Sequence, residues 1–216
     1  MSYIYKTGRM ELREQIKQHA RFIKGRVLDV GAGSYSRYID FFKFDEYIKM
    51  NTELGKNTDI VGKAENIPCE EASFDSIVCT QVLGDVFEIQ KAFSEFYRVL
   101  KSGGVILITE SLFDPLHDEP NDFWRFTQHS LQRLAEDAGF EVKVLEHRGG
   151  YRSVMAQLKA RYWIERFSVN EKWFARPFSF LMKVLGQRAI SLDRKDKNPV
   201  NYTFAHGYIL IAQKNA

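Results

Sequence analysis

The sequence predicts an α/β fold, doubly wound, with a mostly parallel sheet covered by helices on both faces. Three observations predict it. Short β-prone apolar runs alternate with helix-periodic segments along the chain. The first run, Arg26-Val27-Leu28-Asp29-Val30, is continuously apolar apart from its acid, as a strand buried on both faces is. It opens at once into Gly31-Ala32-Gly33-Ser34, a turn of the kind that open sheets place beneath a ligand.

The elements follow in order. Residues 11–23 are helix-periodic, with Leu12, Ile16, His19 and Phe22/Ile23 on one face. Strands are predicted at 26–30, 47–51, 59–61 (short) and 76–80, the last reading Ser-Ile-Val-Cys-Thr. A helix over 89–100 turns Ala92, Phe93, Phe96 and Leu100 inward. It ends at Lys101-Ser102-Gly103-Gly104, a basic last turn followed by a glycine cap. Residues 105–109 form the fifth strand. A helix over 128–138 closes at Gly139, a sixth strand covers 141–145 and a last one 208–212. Seven strands result.

A chain of 216 residues with 44% hydrophobic and 27% charged residues suits one soluble domain with room for an insertion. Cys79 falls in the fourth strand and reads as a small buried hydrophobe. With Cys69 it makes no Cys/His cluster of metal-ligand spacing, so no metal is expected. Residues 1–21 are polar, without a signal-type apolar segment, and no run approaches the ~18 apolar residues of a membrane span. The expected compartment is a reducing cytoplasm. The net charge of +3 hides an asymmetry: residues 151–200 hold eleven Lys/Arg and four Asp/Glu, so +7, which leaves −4 elsewhere.

The glycine turn excludes two ligand classes. A dinucleotide fingerprint needs a third glycine where Ser36 stands, between Tyr35 and Arg37, and no phosphate-cradling P-loop pattern occurs. A ligand without a pyrophosphate remains.

Four stretches together resemble class I S-adenosylmethionine-dependent methyltransferases, of the type 11-like kind. VLDVGAGS is similar to the family's first motif. AENIPCEEASFDSIVCTQVL, residues 64–83, resembles the segment that closes over the adenine. FYRVLKSGGVILITE, residues 96–110, resembles the helix, glycine turn and fifth strand, and FTQHSLQRLAEDAGFEV, residues 126–142, the helix before strand six. The resemblance implies a Rossmann-like seven-stranded sheet whose last strand is antiparallel, over residues 1–150 and 202–216, with a helical insertion at 151–201. It implies S-adenosylmethionine as cofactor. Asp29, Gly31, Ala32 and Gly33 would hold its methionine end. Asn51 stands where the family has an acid for the ribose, with Glu53 as a substitute. Lys63-Ala64 replaces the family's Asp-Ala, so Ala64 and Glu65 would meet the adenine mainly through backbone. Thr80 and Gln81 would lie under the ligand.

The family builds acceptor sites after strands four and five. Here Leu116-His117-Asp118-Glu119-Pro120-Asn121-Asp122-Phe123-Trp124-Arg125-Phe126-Thr127 resembles a segment of members associated with cell-surface polysaccharide or glycolipid biosynthesis. A hydroxyl acceptor must lose a proton, and His117 is the candidate base. Asp122, Trp124 and Arg125 are substrate candidates, with the alternative that Asp122 and Arg125 pair to shape the loop and Trp124 is core. The acceptor expected is a small molecule, a saccharide or a lipid-linked saccharide, methylated on oxygen. Two alternatives stay open: a binding protein that keeps the fold without catalysis, suggested by Asn51 and Lys63, and methylation of RNA. Residues 151–201 interleave Lys/Arg with Trp and Phe. They suit a lid, a homodimer surface or a membrane interface; nucleic acid is disfavoured because no RNA-binding module is recognisable.

Overall fold

The computed structural model describes residues 7–215. Helix α1 (Thr7–His19) buries Leu12 and Ile16 and continues as a 3-10 turn, Ala20–Phe22. Next come β1 (Arg26–Val30), β2 (Glu46–Asn51), β3 (Ile60–Val61) and β4 (Phe74–Thr80), then α2 (Ile89–Val99), β5 (Leu100–Ser111), α3 (Gln128–Asp137) and β6 (Phe140–Arg148). Helices α4 (Tyr151–Arg166), α5 (Ala175–Lys195) and the short α6 (Pro199–Tyr202) precede β7 (Gly207–Lys214). The strands form one sheet in the order β3-β2-β1-β4-β5-β7-β6. All neighbours are parallel except that β7 runs antiparallel to both β5 and β6.

The sheet carries a core on each face. One face buries Leu28, Ile77, Ile106 and Leu210 under α2 and α3, whose Phe93, Phe96 and Leu131 point inward at helical spacing. The other buries Val27, Val78, Leu107 and Ile209 under α1. The fold therefore matches the predicted class, but its helices are uneven. The β1–β2 connection has only a 3-10 turn, Ile39–Phe41, and β4 is followed by another, Leu83–Asp85.

Of the boundaries that differ from expectation, two bear on the site. Residues 101–104 are not a helix cap: α2 gives way directly to β5, whose Leu100 pairs with Phe74 before a register shift, and Gly103 takes φ +75° inside the irregularity. Strand β6 runs to Arg148, three residues past the predicted end, because β7 pairs with it along that whole length.

The connection between β6 and β7 is a helical hairpin. The free N–H groups of the first turn of α4 are capped by a carboxylate from α5, with Arg152 N and Ser153 N donating to Asp193 at 3.1 and 2.7 Å. The hairpin packs on α1: Gly8 N donates to Gln157 Oε1 at 2.5 Å, and Arg194 pairs with Glu14. A small core of Ile164, Val169 and Ala175, with Phe174 and Phe178 against it, closes its far end. Among the described residues no helix is long and apolar enough to cross a membrane.

Candidate active site

Parallel strands deliver their carboxyl ends to one edge, so β1, β4 and β5 converge there on a cavity of about 560 Å³. At its floor, Gly31 and Gly33 adopt φ +70° and +64°, conformations that L side chains avoid. The turn is pinned from β2: Gly31 N and Ala32 N donate to the Met50 carbonyl at 2.9 and 3.2 Å. Asp29 is buried beneath it. Burial pushes its carboxyl up to about 6, against hydrogen bonds from Ser36 and Tyr47 that pull it down. Tyr47 in turn is held far above the usual phenol range by burial and by Asp29.

The two glycines differ in what they tolerate. A Cβ on Gly31 would sit 2.4 Å from Val82 Cγ2, whereas a Cβ on Gly33 would meet nothing within 4 Å. Gly33→Val is expected to fold with about 1–2 kcal/mol of left-handed strain while closing the turn to any ligand lying on it. Gly31→Val should lower the melting temperature as well. Thermal melts and calorimetric titration with S-adenosylhomocysteine separate the two; unchanged affinity in folded Gly33→Val would leave the glycines a turn role only.

Beside the turn, Gln81 adopts φ +57° at the end of β4. Its N–H and Nε2 both donate to the Thr109 carbonyl, at 2.8 and 2.9 Å, and its Oε1 accepts from Ser111 at 2.7 Å. Thr80, Gln81 and Ser111 line the cavity together with Asp29 and the glycine turn.

Asn51 is engaged at both ends of its amide. Oδ1 accepts from Gly33 N at 2.7 Å, and Nδ2 donates to the Asn57 carbonyl and Thr58 Oγ1 at 2.9 and 3.0 Å. It braces the turn, and a carboxylate in its place would face the Asn57 carbonyl without a donor. Glu53 is exposed, Ala64 is packed in the core, and neither these nor Asn51 nor Glu65 lines the cavity.

The loop after β5 supplies the opposite wall. His117 lines it, and His117 Nδ1 lies 2.9 Å from the Pro115 carbonyl. A carbonyl only accepts, so this closer contact favours a proton on Nδ1 and a lone pair on Nε2, against the longer 3.4 Å approach of Arg125 Nη2 to the same nitrogen. Asp85 and Asp118 bring carboxylate oxygens within 4.8 Å of an imidazole nitrogen and of each other. Asp122 and Arg125 do not line the cavity, and the alternative expectation, that they pair with each other, describes their contacts. They form a two-point pair at 2.6 and 2.8 Å, and Asp122 Oδ2 also accepts from His117 N at 3.0 Å. That pair holds the Asp122 carboxyl far below its usual range. Trp124 is likewise a strut, its Nε1 donating to the Val86 carbonyl at 3.0 Å. The three candidates shape the loop that presents His117.

Sequence reasoning missed Arg148, Arg161 and Asp114. All three line the cavity, and Arg161 pairs with Asp114 at 2.7 Å. Arg148 ends β6, and the general placement of ligands at strand carboxyl ends was the signal that could have found it.

Comparison with known proteins bears on this edge of the sheet. Residues 28–108 match a protein-family profile described as Methyltransferase domain. The chain is 45% identical over 74 residues to the ubiquinone/menaquinone biosynthesis C-methyltransferase UbiE of Rhizobium etli, covering 33% of this chain and 29% of that one. It thus spans about a third of the length of such curated relatives. Solved structures share the fold over nearly the whole chain. The cyclase SpnF aligns with TM-score 0.60 at 21% identity, over 97% of this chain and 81% of that one. Phosphoethanolamine N-methyltransferase 2 of Haemonchus contortus, in complex with S-adenosyl-L-methionine, aligns with TM-score 0.57 at 16% identity, over 94% of this chain and 52% of that one. Residues 28–108, which hold the turn after β1 and the end of β4 beside it, are thus similar in sequence to a methyltransferase domain, within a fold shared with these solved structures.

Proposed function

We propose that the protein transfers a methyl group from S-adenosylmethionine to a small-molecule acceptor. The observation that carries this reading is the union, in one cavity, of the buried Asp29 and the open glycine turn with His117 on the facing loop. Asp29, Gly31, Ala32 and Gly33 would bind the methionine end of the cofactor, and Thr80 and Gln81 would lie beneath it. Asn51 would act by holding the turn. Glu53, Ala64 and Glu65 stay candidates for the adenosine end only.

The cofactor supplies an electrophilic methyl on a cationic sulfur. The chain's own task is to align an acceptor with it and exclude water. His117 Nε2 would take the proton of a hydroxyl acceptor, with Asp85 and Asp118 beside the ring. O-methylation follows most directly from that base. C-methylation of a quinone precursor is the second reading, favoured by the curated relatives. The matched profile ends at residue 108, before the loop with His117 and before the helical hairpin, so it carries the cofactor end rather than the acceptor. A cyclase among the fold neighbours is a reminder that fold alone does not fix the reaction.

Calorimetric titration with S-adenosylhomocysteine tests the cofactor. A transfer assay with labelled cofactor against phenols, quinone precursors, saccharides, lipid-linked saccharides and RNA tests the acceptor. No binding at millimolar ligand would remove the enzyme reading and favour a binding protein without catalysis. Activity lost on chelation would reassign Asp85, His117 and Asp118 from proton transfer to holding a divalent cation, whose donor types they also match.

We further propose that the hairpin formed by α4 and α5 touches a membrane surface. Trp163, Trp173, Phe180, Leu181 and Leu185 are exposed there, Trp173 at 91%. Trp163, Leu181 and Leu185 border an apolar groove between the two helices, in a segment that carries the +7 charge of residues 151–200. Phe174 instead packs inside the hairpin, so it is a poor probe of lipid contact. Trp173→Ser with Leu181→Ser is expected to reduce co-sedimentation with anionic vesicles while leaving the melting temperature within a few degrees. Wild-type binding to those vesicles should fall with salt over a Debye length of about 8 Å. No wild-type binding, with a dimer in solution that the double variant dissociates, would assign the face to a second copy.

A further inference from the structure

The side chain of Arg148 is one of the most deeply buried charges in the molecule, with 5% of the residue exposed, yet its Nε and Nη1 have no hydrogen-bond partner. Among the described residues no carboxylate reaches ion-pair distance. The acids that act on it most strongly, Glu11 and Glu110, form no ion pair with it. Glu110 Oε1 accepts from Val82 N and Leu83 N, and Glu11 Oε2, 3.3 Å from His206 Nε2, makes no hydrogen bond. Buried charges in folded proteins are normally paired, because an unpaired one is costly.

Arg148 does face space, since it lines the cavity beside Gln157 and Arg161. Arg161 is already paired with Asp114 and Glu165. Gly207 lets the guanidinium lie where it does: a Cβ there would stand 2.9 Å from Arg148 Nη2 and 2.0 Å from the Glu110 carbonyl oxygen. The guanidinium therefore crosses β7 towards the end of β5. That end lies two strand spacings from β1, roughly 10 Å from the glycine turn. This is the side of the cavity on which His117 stands.

We propose that the methyl acceptor is an anion, and that the Arg148 guanidinium binds its carboxylate or phosphate group at the cavity wall. The proposal rests on the methyltransferase reading. The anion would supply the counter-charge that the burial of Arg148 leaves wanting, and would hold one end of the acceptor while the other meets His117 and the cofactor. Arginine suits both groups, being permanently charged and rich in fixed donors.

The test uses the full chain saturated with S-adenosylhomocysteine, whose binding is measured first. Inorganic phosphate, benzoate and the neutral benzamide are then titrated calorimetrically. Binding of phosphate or of benzoate, but not of benzamide, is expected, and whichever anion binds more tightly identifies the group. Arg148→Met should weaken that anion at least tenfold and leave the affinity for S-adenosylhomocysteine unchanged; Arg148→Lys should restore part of it. Glu11→Gln, which removes the strongest neighbouring negative charge, should tighten the anion and serves if Arg148→Met does not fold. Equal anion affinity in Arg148→Met, or no anion binding to the loaded protein, overturns the proposal. A tenfold loss of S-adenosylhomocysteine affinity in Arg148→Met, with the anions unaffected, also overturns it and assigns Arg148 to the cofactor's carboxylate. If S-adenosylhomocysteine itself does not bind, the methyltransferase reading falls and the anionic acceptor falls with it.

Discussion

Asp29→Ala is expected to weaken S-adenosylhomocysteine binding by roughly 10- to 150-fold, the 1.5–3 kcal/mol of a hydrogen bond to a charged group. The cofactor's amino group is the partner that Asp29 would meet, directly or through water. The carboxyl is buried and ionises at about 6, because burial outweighs the bonds from Ser36 and Tyr47. Only the ionised form attracts an ammonium strongly, so wild-type affinity should rise from pH 5 to pH 7 and level off above. Asp29→Asn keeps the shape and removes the titration. Its affinity should be low and flat over the same range. Titrations at pH 5.5, 6.5 and 7.5 check both statements. A loss below threefold in Asp29→Ala, or a pH rise that persists in Asp29→Asn, would place Asp29 among the residues that only support the turn.

The strand cores could be read from the sequence for a physical reason. β1, β4 and β5 are buried on both faces, so their apolar runs are continuous and their order around Gly31 and Gly33 reveals a parallel sheet. The end of β6 could not. Residues 146–148, Glu-His-Arg, look like loop, and only pairing with Ile209, Tyr208 and Gly207 keeps them in the sheet. Losing those residues meant losing Arg148. The loop after β5 was harder again. Asp122, Trp124 and Arg125 have the chemistry of substrate contacts, but their distances show a pair and a strut. Residue type cannot tell a group that faces a cavity from one that braces its wall.

Asn51 shows the same limit from the other side. Its position at the end of β2 suggests a ribose contact. In the fold, however, the loop of Asn57 and Thr58 curls back within reach, and a short amide satisfies three neighbours that a carboxylate could not. The geometry shows what the two ends of its amide are doing.

Glu110 should give a large stability effect for a polar residue. The residue is 3% exposed, and its Oε1 accepts from both Val82 N at 3.0 Å and Leu83 N at 2.8 Å, the two donors that open the 3-10 turn after β4. Glu110→Ala strands both N–H groups and empties the space beside them. At about 1–3 kcal/mol for each lost partner, a total near 3 kcal/mol is expected, which for a chain of this size lowers the melting temperature by about 6–12 °C. Gln81 precedes this turn, so S-adenosylhomocysteine affinity should fall in the same variant. Glu110→Gln separates the acceptor from the charge. Burial pushes the Glu110 carboxyl up to about 7 from 4.5. Between those two values the unfolded chain gives up its proton and the folded chain keeps it, so wild-type stability falls as pH rises, by up to about 3 kcal/mol from this group. An amide keeps an oxygen for Val82 and Leu83 and does not titrate. Glu110→Gln should therefore match wild type near pH 4.5 and exceed it at pH 8. Denaturant unfolding at the two pH values decides the matter. A variant less stable than wild type at pH 8 would mean that the ionised carboxylate, supported by Arg148, is what the turn requires.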